Sequence, residues 1–255
     1  MTALAIPAQA PAGTSCESAQ VRAQLRLREM ILAGELAAGT RIAELSIVEK
    51  LGVSRTPIRA ALMRLEQEGL IESLPNGGYA VRTFSERDVS DAIELRGTIE
   101  GLTARLAAER GAVPVVLNEA RECLKAIDAL LARPALDDDA FSRYVSFNER
   151  FHTLLGELSG STVLARELER VASLPFASPS AFVVVQANSP QARDMLVVAQ
   201  DQHWQVLDAI ERREGSRAES IMREHSRIAQ RNLREAVQNH DLDQMPGVRL
   251  IRKRT

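Results

Sequence analysis

Three of the four histidines in the sequence lie in segments from which they could share one ligand. His152 is in FNERFHTLLGELSGS, His203 in DQHWQVLDAI and His225 in IMREHSRIAQ. Each segment has the 3.6-residue apolar period of a helix, and Asn148 lies one turn before His152 on the same face. Three imidazoles and one oxygen form a donor set for Zn²⁺ or another divalent transition metal. The alternative is three unrelated structural histidines, since neither CxxC nor HExxH accompanies them.

Arg96 is a second chemical candidate, because it interrupts an otherwise apolar helical stripe. The stripe consists of Val89, Ile93, Ile99, Leu102 and Leu106. This spacing predicts that the guanidinium lies near the interior of a helical bundle, where it needs an anionic partner. A carboxylate ligand would serve as that partner. The alternative is an internal ion pair with Glu94, Glu100 or Glu149.

Two arginines, Arg55 and Arg59, lie four residues apart in a segment without acidic residues from Val53 to Leu65. The inward stripe of this helix is formed by Ile58, Ala61, Leu62 and Leu65, which leaves the arginines, Ser54 and Thr56 on the opposite face. Arginine can bond guanine O6 and N7 together or clamp a phosphate. The two hydroxyls and the helix N-terminus favour phosphate oxygens. This face predicts DNA contact; the alternative is a solvated amphipathic helix.

The sequence predicts three helices and a hairpin as the elements that position the face with Arg55 and Arg59. The helices are predicted over Val21–Leu32, Leu45–Leu51 and Ser54–Gly69, with Ser54 as the N-cap of the third. Ile71–Ser73 and Tyr79–Val81 then flank a glycine pair, Gly77 and Gly78, as hairpin strands do. This order is typical of a winged helix–turn–helix, and the glycines would let the wing backbone approach the minor groove.

Beyond Thr83 the sequence predicts long helices separated by clear breaks. They are Glu86–Arg110, Pro114–Leu131, Ala140–Glu157, Thr162–Leu174, Gln191–Arg213 and Arg217–Val237. The predicted fold is therefore mainly α: a winged helix–turn–helix followed by an all-α ligand-binding bundle of six or seven helices. We expect a disordered arm over 1–18, the DNA-binding domain over 19–83, the effector-binding and dimerisation domain over 84–240, and a basic, solvated tail over 241–255.

Composition sets limits on the class of protein. The 255 residues are 45% hydrophobic, 26% charged and 4% aromatic, which suits a soluble globular chain and disfavours a base-stacking platform. Cys16 and Cys123 match neither a disulfide scaffold nor a metal motif. The first residues lack the basic and long apolar regions of a signal peptide, and no apolar run approaches a membrane span. The cytoplasm is the expected location.

The run from Leu27 to Val81, with GVSRTPIRAALMRLEQEGLI and GGYAV, closely resembles the DNA-binding domain of GntR-family transcriptional regulators. SRTPIRAAL matches the recognition-helix signature of that family. The resemblance implies a homodimer on a palindromic operator of double-stranded DNA. Leu45 stands where some members carry a DNA-contacting arginine, so that contact is not carried over.

ELRGTIEGLTARLAAERG and the three histidine segments resemble the ligand-binding bundle of the FadR branch, the FCD domain. The resemblance implies a metal held by an Asp and three histidines, Zn²⁺ first, with Ni²⁺ or Mn²⁺ as alternatives. Asn148 stands in place of that Asp, and an amide oxygen is the weaker ligand, which predicts partial occupancy. The resemblance also implies that Arg96 helps bind an organic-acid effector. LPFASPSAF with RGTIEG is similar to vanillate-type repressors of aromatic acid breakdown.

These features favour a transcription factor that is not an enzyme: a repressor released when a small carboxylate binds near a metal. One alternative is a metal-dependent hydrolase that uses the histidine cluster, with Glu149 as the nearby general base. An architectural DNA-binding protein without an effector pocket is another.

Overall fold

The computed structural model describes residues 13–134, 136–174, 176–180, 192–238 and 248–252. The chain divides into two compact units, and the boundary falls between Arg82 and Thr83. No helix in the described ranges is both long and apolar enough to cross a membrane. Each unit carries one of the two predicted sets of functional residues.

The first unit contains three helices and a small antiparallel sheet. The helices are α1 (Gly13–Leu32), α2 (Glu44–Leu51) and α3 (Arg55–Gln67). The strands β1 (Arg41–Ile42), β2 (Ile71–Ser73) and β3 (Tyr79–Val81) are ordered β1-β3-β2. Helix α1 begins before the predicted Val21, so residues 13–18 are helical rather than part of a disordered arm; residues 1–12 lie outside the described ranges.

Sequence-local signals explain how α3 is placed. Gly52 ends α2 in the left-handed region, with φ of 63°, where a glycine has no side chain to clash. Ser54 is the N-cap of α3 by position, but its side chain makes no capping hydrogen bond, contrary to the capping role predicted for it. Ile58, Leu62 and Leu65 are buried, so the predicted inward stripe is confirmed.

The second unit is helical, and six α-helices lie in its described part. They are α4 (Glu86–Arg110), α5 (Pro114–Leu131), α6 (Asp138–Leu158), α7 (Thr162–Ala172), α8 (Ala192–Glu211) and α9 (Gly215–Gln238). Ser85 and Asp88 form a reciprocal capping box at the start of α4. Asp137 caps α6, which therefore begins at Asp138, two residues earlier than predicted.

Two glycines set the distance between α4 and α9, the helix pair with the most extensive contact in this unit. A Cβ atom on Gly97 would lie 2.1 Å from Ser226 Oγ, and one on Gly101 would lie 2.7 Å from Arg223 Cγ. Any side chain at either position would force the helices apart. RGTIEG therefore serves packing, which the sequence reading did not recognise.

The C-terminal segment corrects another expectation. Val248–Leu250 is a 3₁₀ turn, and β5 (Ile251–Arg252) pairs in parallel with β4 (Phe84–Ser85). Leu250 and Ile251 are only 1% and 8% exposed, so this stretch packs against the unit because its apolar residues find a hydrophobic surface. The prediction of a solvated tail is wrong for residues 248–252, whereas 241–247 and 253–255 lie outside the described ranges.

Candidate functional site

Helices α6, α8 and α9 bring the three predicted histidines together. One ring nitrogen from each lies within 4.8 Å of the other two, and all three side chains are buried. His203 Nε2 and His225 Nε2 are 3.2 Å apart. Metal–nitrogen bonds of about 2.0–2.1 Å in a tetrahedral site require ligand nitrogens about 3.3 Å apart. The cluster therefore fits a divalent transition metal with little rearrangement.

The Nδ1 atom of each histidine lies within hydrogen-bonding distance of a side-chain oxygen. His152 Nδ1 lies 2.7 Å from Glu100 Oε1, His203 Nδ1 lies 3.3 Å from Gln200 Oε1, and His225 Nδ1 lies 3.3 Å from Gln202 Oε1. The amide of Gln200 cannot be reversed, because its Nε2 donates to Leu124 O and Asp128 Oδ1. Partners of this kind fix the tautomer that leaves Nε2 free to ligate.

Burial and neighbouring charges favour the neutral form of His203 and His225, which is the form that binds a metal. Burial and nearby imidazoles hold the pKa values of His203 and His225 well below the ordinary range. Burial tends to raise the pKa of Glu100, but the charge of Arg96 and the contact with His152 outweigh it and lower the value to about 2. The buried Nε2 of His152 has no hydrogen-bond partner in the described part of the chain. An unsatisfied buried lone pair is costly, and a cation would satisfy it.

Arg96 is buried, as predicted. Its anionic partner was expected to be either a carboxylate ligand or an internal glutamate, and the structure shows an internal glutamate. Its Nη1 donates to Glu100 Oε2 at 2.8 Å, one helical turn along α4. Glu94 is instead on the exposed side of the helix, where it bonds Arg223 and Gln230. The Nε of Arg96 is buried without a partner among the described residues, so the guanidinium retains hydrogen-bonding capacity.

Arg96 borders a large cavity and a small one, both lined by residues in the described part of the chain. The larger, of about 730 Å³, is bounded by Glu100, His152 and Arg96 together with residues of α6 and α7. Its volume lies in the range of small-molecule sites. The smaller, of about 30 Å³, is lined by Arg96, Asn148 and His225 and is large enough for one or two waters.

Asn148 is buried beside the cluster, but its amide is already engaged. Its Nδ2 donates to Ser180 Oγ at 3.1 Å. An amide whose nitrogen is a donor keeps its oxygen as an acceptor, so the bond is compatible with Oδ1 as a ligand. The role of Asn148 as the fourth ligand stays a prediction.

On the first unit, the residues proposed to read DNA share an exposed surface of α3. Ser54, Arg55, Thr56 and Arg59 are all exposed. Arg59 Nε bonds both carboxylate oxygens of Glu44, at 3.1 and 3.0 Å. The cationic face therefore carries one local counter-charge, which the sequence reading of α3 alone did not include.

The wing contains an arginine that the sequence reading missed. Gly77 and Gly78 have φ values of 79° and 85°, as the turn requires. Arg41, which pairs with Ala80 across the sheet, donates from Nη2 to Gly77 O at 2.8 Å. A guanidinium thus lies at the wing tip. The sequence feature that could have identified Arg41 is its position next to apolar Ile42, because neighbouring residues of a strand face opposite sides and Arg41 would then face outward.

A winged helix–turn–helix with a cationic recognition face, joined to a helical unit, is the architecture of a DNA-binding transcriptional regulator. Comparison with known protein families supports this class of protein. Residues 19–81 match the bacterial regulatory proteins of the gntR family, and residues 91–227 match the FCD domain. The chain belongs to the GntR family of transcriptional regulators, in its FCD branch, and this membership excludes the hydrolase alternative.

Individual relatives are similar over most of the chain. It is 32% identical over 214 residues to an uncharacterized HTH-type regulator in an unstable DNA locus of Streptomyces ambofaciens, covering 80% of each chain. It is 24% identical to the HTH-type transcriptional repressor RspR of Escherichia coli, covering 84% of this chain and 88% of that one. The solved structure of E. coli McbR/YncC has a TM-score of 0.59 at 19% identity, covering 88% of this chain and 99% of that chain, and so shares the fold.

Proposed function

We propose that this GntR/FCD regulator is a homodimeric, cytoplasmic repressor that leaves a palindromic operator when a small carboxylate binds beside a metal in the helical unit. The observation that carries the proposal is the convergence of three buried histidines, of which His152 lines the 730 Å³ cavity. A bound metal would supply open coordination positions for an anion. The cavity favours a sensor over an architectural DNA-binding protein.

The DNA-reading role rests on Arg55 and Arg59, with Ser54, Thr56, Gly77 and Gly78 as phosphate or groove contacts and Arg41 as an addition. Replacing both recognition arginines with alanine should weaken operator binding at least about 30-fold, because each base or phosphate contact contributes roughly 1–3 kcal/mol. Anisotropy on a duplex from the gene's own upstream region, at two salt concentrations, measures this effect.

The matched control is Arg26→Ala/Arg64→Ala, which removes the same charge from other exposed positions of the unit. Arg64 lies half a turn around α3 from Arg55. Equal losses in the two double variants would mean that only net charge matters. Wild-type affinity no greater than for random duplex would count against the operator chosen. Light scattering of the free protein tests the homodimer.

The metal role can be tested by titrating the chelator-treated protein with Zn²⁺, Ni²⁺ and Mn²⁺ against a chromophoric competitor. His152, His203 and His225 should supply three ligands, so changing His203 to Gln should lower Zn²⁺ affinity at least tenfold. His240 to Gln, the same change at the fourth histidine of the sequence, is the control. The change Asn148→Asp should raise the affinity about tenfold, since a carboxylate binds a cation more strongly than an amide. An unchanged affinity would remove Asn148 from the ligand set.

The effector class is a carboxylate anchored by the metal, with Arg96 as a second contact. Support comes from the cation that the cluster would hold and from Arg96, which lines the same cavity and whose Nε has no partner among the described residues. Benzoate, vanillate, succinate and citrate can be compared as probes by the thermal shift they cause and by release of operator DNA. Binding that disappears on chelation supports the proposal, whereas equal binding without metal contradicts it. The vanillate-type assignment requires the aromatic probes to bind best.

A further inference from the structure

Glu100 touches two functional groups at once. Oε1 lies 2.7 Å from His152 Nδ1 and Oε2 lies 2.8 Å from Arg96 Nη1, so both carboxylate oxygens are engaged. Arg96 and Glu100 are each 2% exposed, and His152 is 6% exposed. The three side chains are therefore buried, and the bonds that Glu100 makes to His152 and Arg96 form inside the protein.

The neighbouring histidines are supported differently. Gln200 and Gln202 each offer His203 and His225 an amide oxygen at 3.3 Å. An amide oxygen is sufficient at these two positions because it has to accept only one hydrogen bond, from the Nδ1–H group of the imidazole. His152 alone among the three shares its acceptor with a buried cation.

An amide cannot replace the carboxylate at position 100. A guanidinium can only donate, and His152 Nδ1 must also donate if Nε2 is to present a lone pair to the cluster. A carboxylate accepts from both, whereas a glutamine has one accepting oxygen and one donating nitrogen. The charge-assisted bond to Arg96 is the stronger of the two, so the oxygen of a glutamine would turn to the guanidinium. Its NH₂ group would face His152 Nδ1 and drive the imidazole proton to Nε2.

We propose that Glu100 is a positioning residue that fixes the His152 tautomer with the proton on Nδ1, and so directs an unprotonated Nε2 toward His203 and His225. The consequence for metal affinity rests on the proposed function. The tautomer itself does not, because it can be observed without any metal.

The first test uses protein labelled with ¹⁵N at histidine, freed of metal by a chelator, at a pH where the imidazoles are neutral. Long-range ¹H–¹⁵N spectra distinguish the two tautomers, and the His152→Gln spectrum identifies the His152 signals. Wild-type His152 should carry its proton on Nδ1, and in Glu100→Gln the proton should move to Nε2. Glu94→Gln, the same change on the exposed side of α4, should resemble wild type.

Two outcomes of that experiment overturn the proposal: a wild-type His152 protonated on Nε2, or a Glu100→Gln protein whose His152 keeps the proton on Nδ1. Trp204 fluorescence reports whether the Glu100→Gln variant folds. If it does not fold, the wild-type spectrum still tests which nitrogen of His152 carries the proton.

The second test measures Zn²⁺ affinity by competition with a chromophoric chelator. Glu100→Gln should bind Zn²⁺ about 10–100-fold more weakly than wild type, and Glu94→Gln should match wild type. Equal affinity of Glu100→Gln and wild type would overturn the positioning role. Absence of Zn²⁺ binding in wild type would instead refute the metal proposal, and the tautomer spectra would still decide the role of Glu100.

Discussion

Two arginines in this regulator are each paired with one glutamate, in opposite surroundings. Arg59 and Glu44 lie 3.0 Å apart with side chains 66% and 29% exposed; Arg96 and Glu100 lie 2.8 Å apart and both are 2% exposed. The exposed pair contributes about 0–1 kcal/mol and can be exchanged for another anion, such as a DNA phosphate. The buried pair cannot lose a partner without leaving a desolvated charge. Similar distances thus serve different purposes: the first pair suits a surface that exchanges partners, and the second fixes a geometry.

The largest contrast should come from removing the buried glutamate and, for comparison, an exposed glutamate of the same helix. In Glu100→Ala the free energy of unfolding should fall by about 3–5 kcal/mol, because Arg96 is left buried and uncompensated. Glu94→Ala, on the exposed side of α4, should cost less than about 1 kcal/mol. Urea unfolding with a chelator present, followed by Trp204 fluorescence, measures both variants in the second unit. Losses of similar size would mean that burial does not govern the value of these charges.

Acid should destabilise the helical unit that contains the buried histidines. The folded-state pKa values of His203 and His225 lie below their unfolded values, so unfolded chains bind more protons. Stability is fully present above the unfolded pKa, about 6.5, and is lost as the pH falls below it, by up to about 1.4 kcal/mol per pH unit for each histidine. The lowered pKa of Glu100 stabilises the folded state above about pH 4.5, and this contribution is lost only as the pH falls from there toward 2.

The check is urea unfolding of the chelator-treated protein between pH 7.5 and 5, again by Trp204 fluorescence. The double variant His203→Gln/His225→Gln should show a flatter dependence on pH. A wild-type unfolding free energy that stays constant to pH 5 would contradict buried, neutral imidazoles.

The close approach of α4 and α9, which holds the buried pair in place, can be tested at Gly97. Gly97→Ala should cost about 1–3 kcal/mol, because the new methyl group would meet Ser226. Gly160→Ala is the matched control: its φ is 62° and its surroundings are open, so backbone strain of about 1 kcal/mol is the expected cost. Thermal unfolding compares the two. A smaller loss at Gly97 than at Gly160 would mean that the helices separate readily.

The smallest expected effect is at the exposed pair. Glu44→Gln should raise operator affinity about two- to fivefold, because Arg59 is freed from its carboxylate and a negative charge near DNA is removed. Glu29→Gln, which releases Arg26 on α1, is the control for net charge. The difference in operator affinity between Glu44→Gln and wild type should shrink as salt is added. An unchanged affinity would show that Arg59 does not meet DNA.

Periodicity was sufficient to predict most of the helices and the inward face of α3, because those patterns are local in sequence. The meeting of His152, His203 and His225 was a hypothesis from spacing that the structure supports. The contact of Glu100 with His152 was not predictable in the same way, since it depends on how α4 packs against α6. Gly97 shows the same limit: its importance becomes visible only when α9 lies across it.

Two wrong predictions concern segments near the two ends of the sequence, and the capping role predicted for Ser54 is a third. Residues 13–18 extend α1 although their sequence is mostly small and polar. The segment from Val248 to Arg252 contains basic residues, which favoured solvent, but Leu250 and Ile251 outweigh them through burial.

Strand β5 also affects how the protein is made. Its partner β4 is synthesised at the start of the second unit, before α4, whereas β5 emerges from the ribosome after α9. Chains fold from the N-terminus during synthesis, so the DNA-binding unit has time to fold while β4 still lacks its partner. The parallel pairing closes a loop around the whole helical unit and is therefore among the slow, non-local steps. The nascent regulator can thus acquire its DNA-binding unit well before its helical unit is complete.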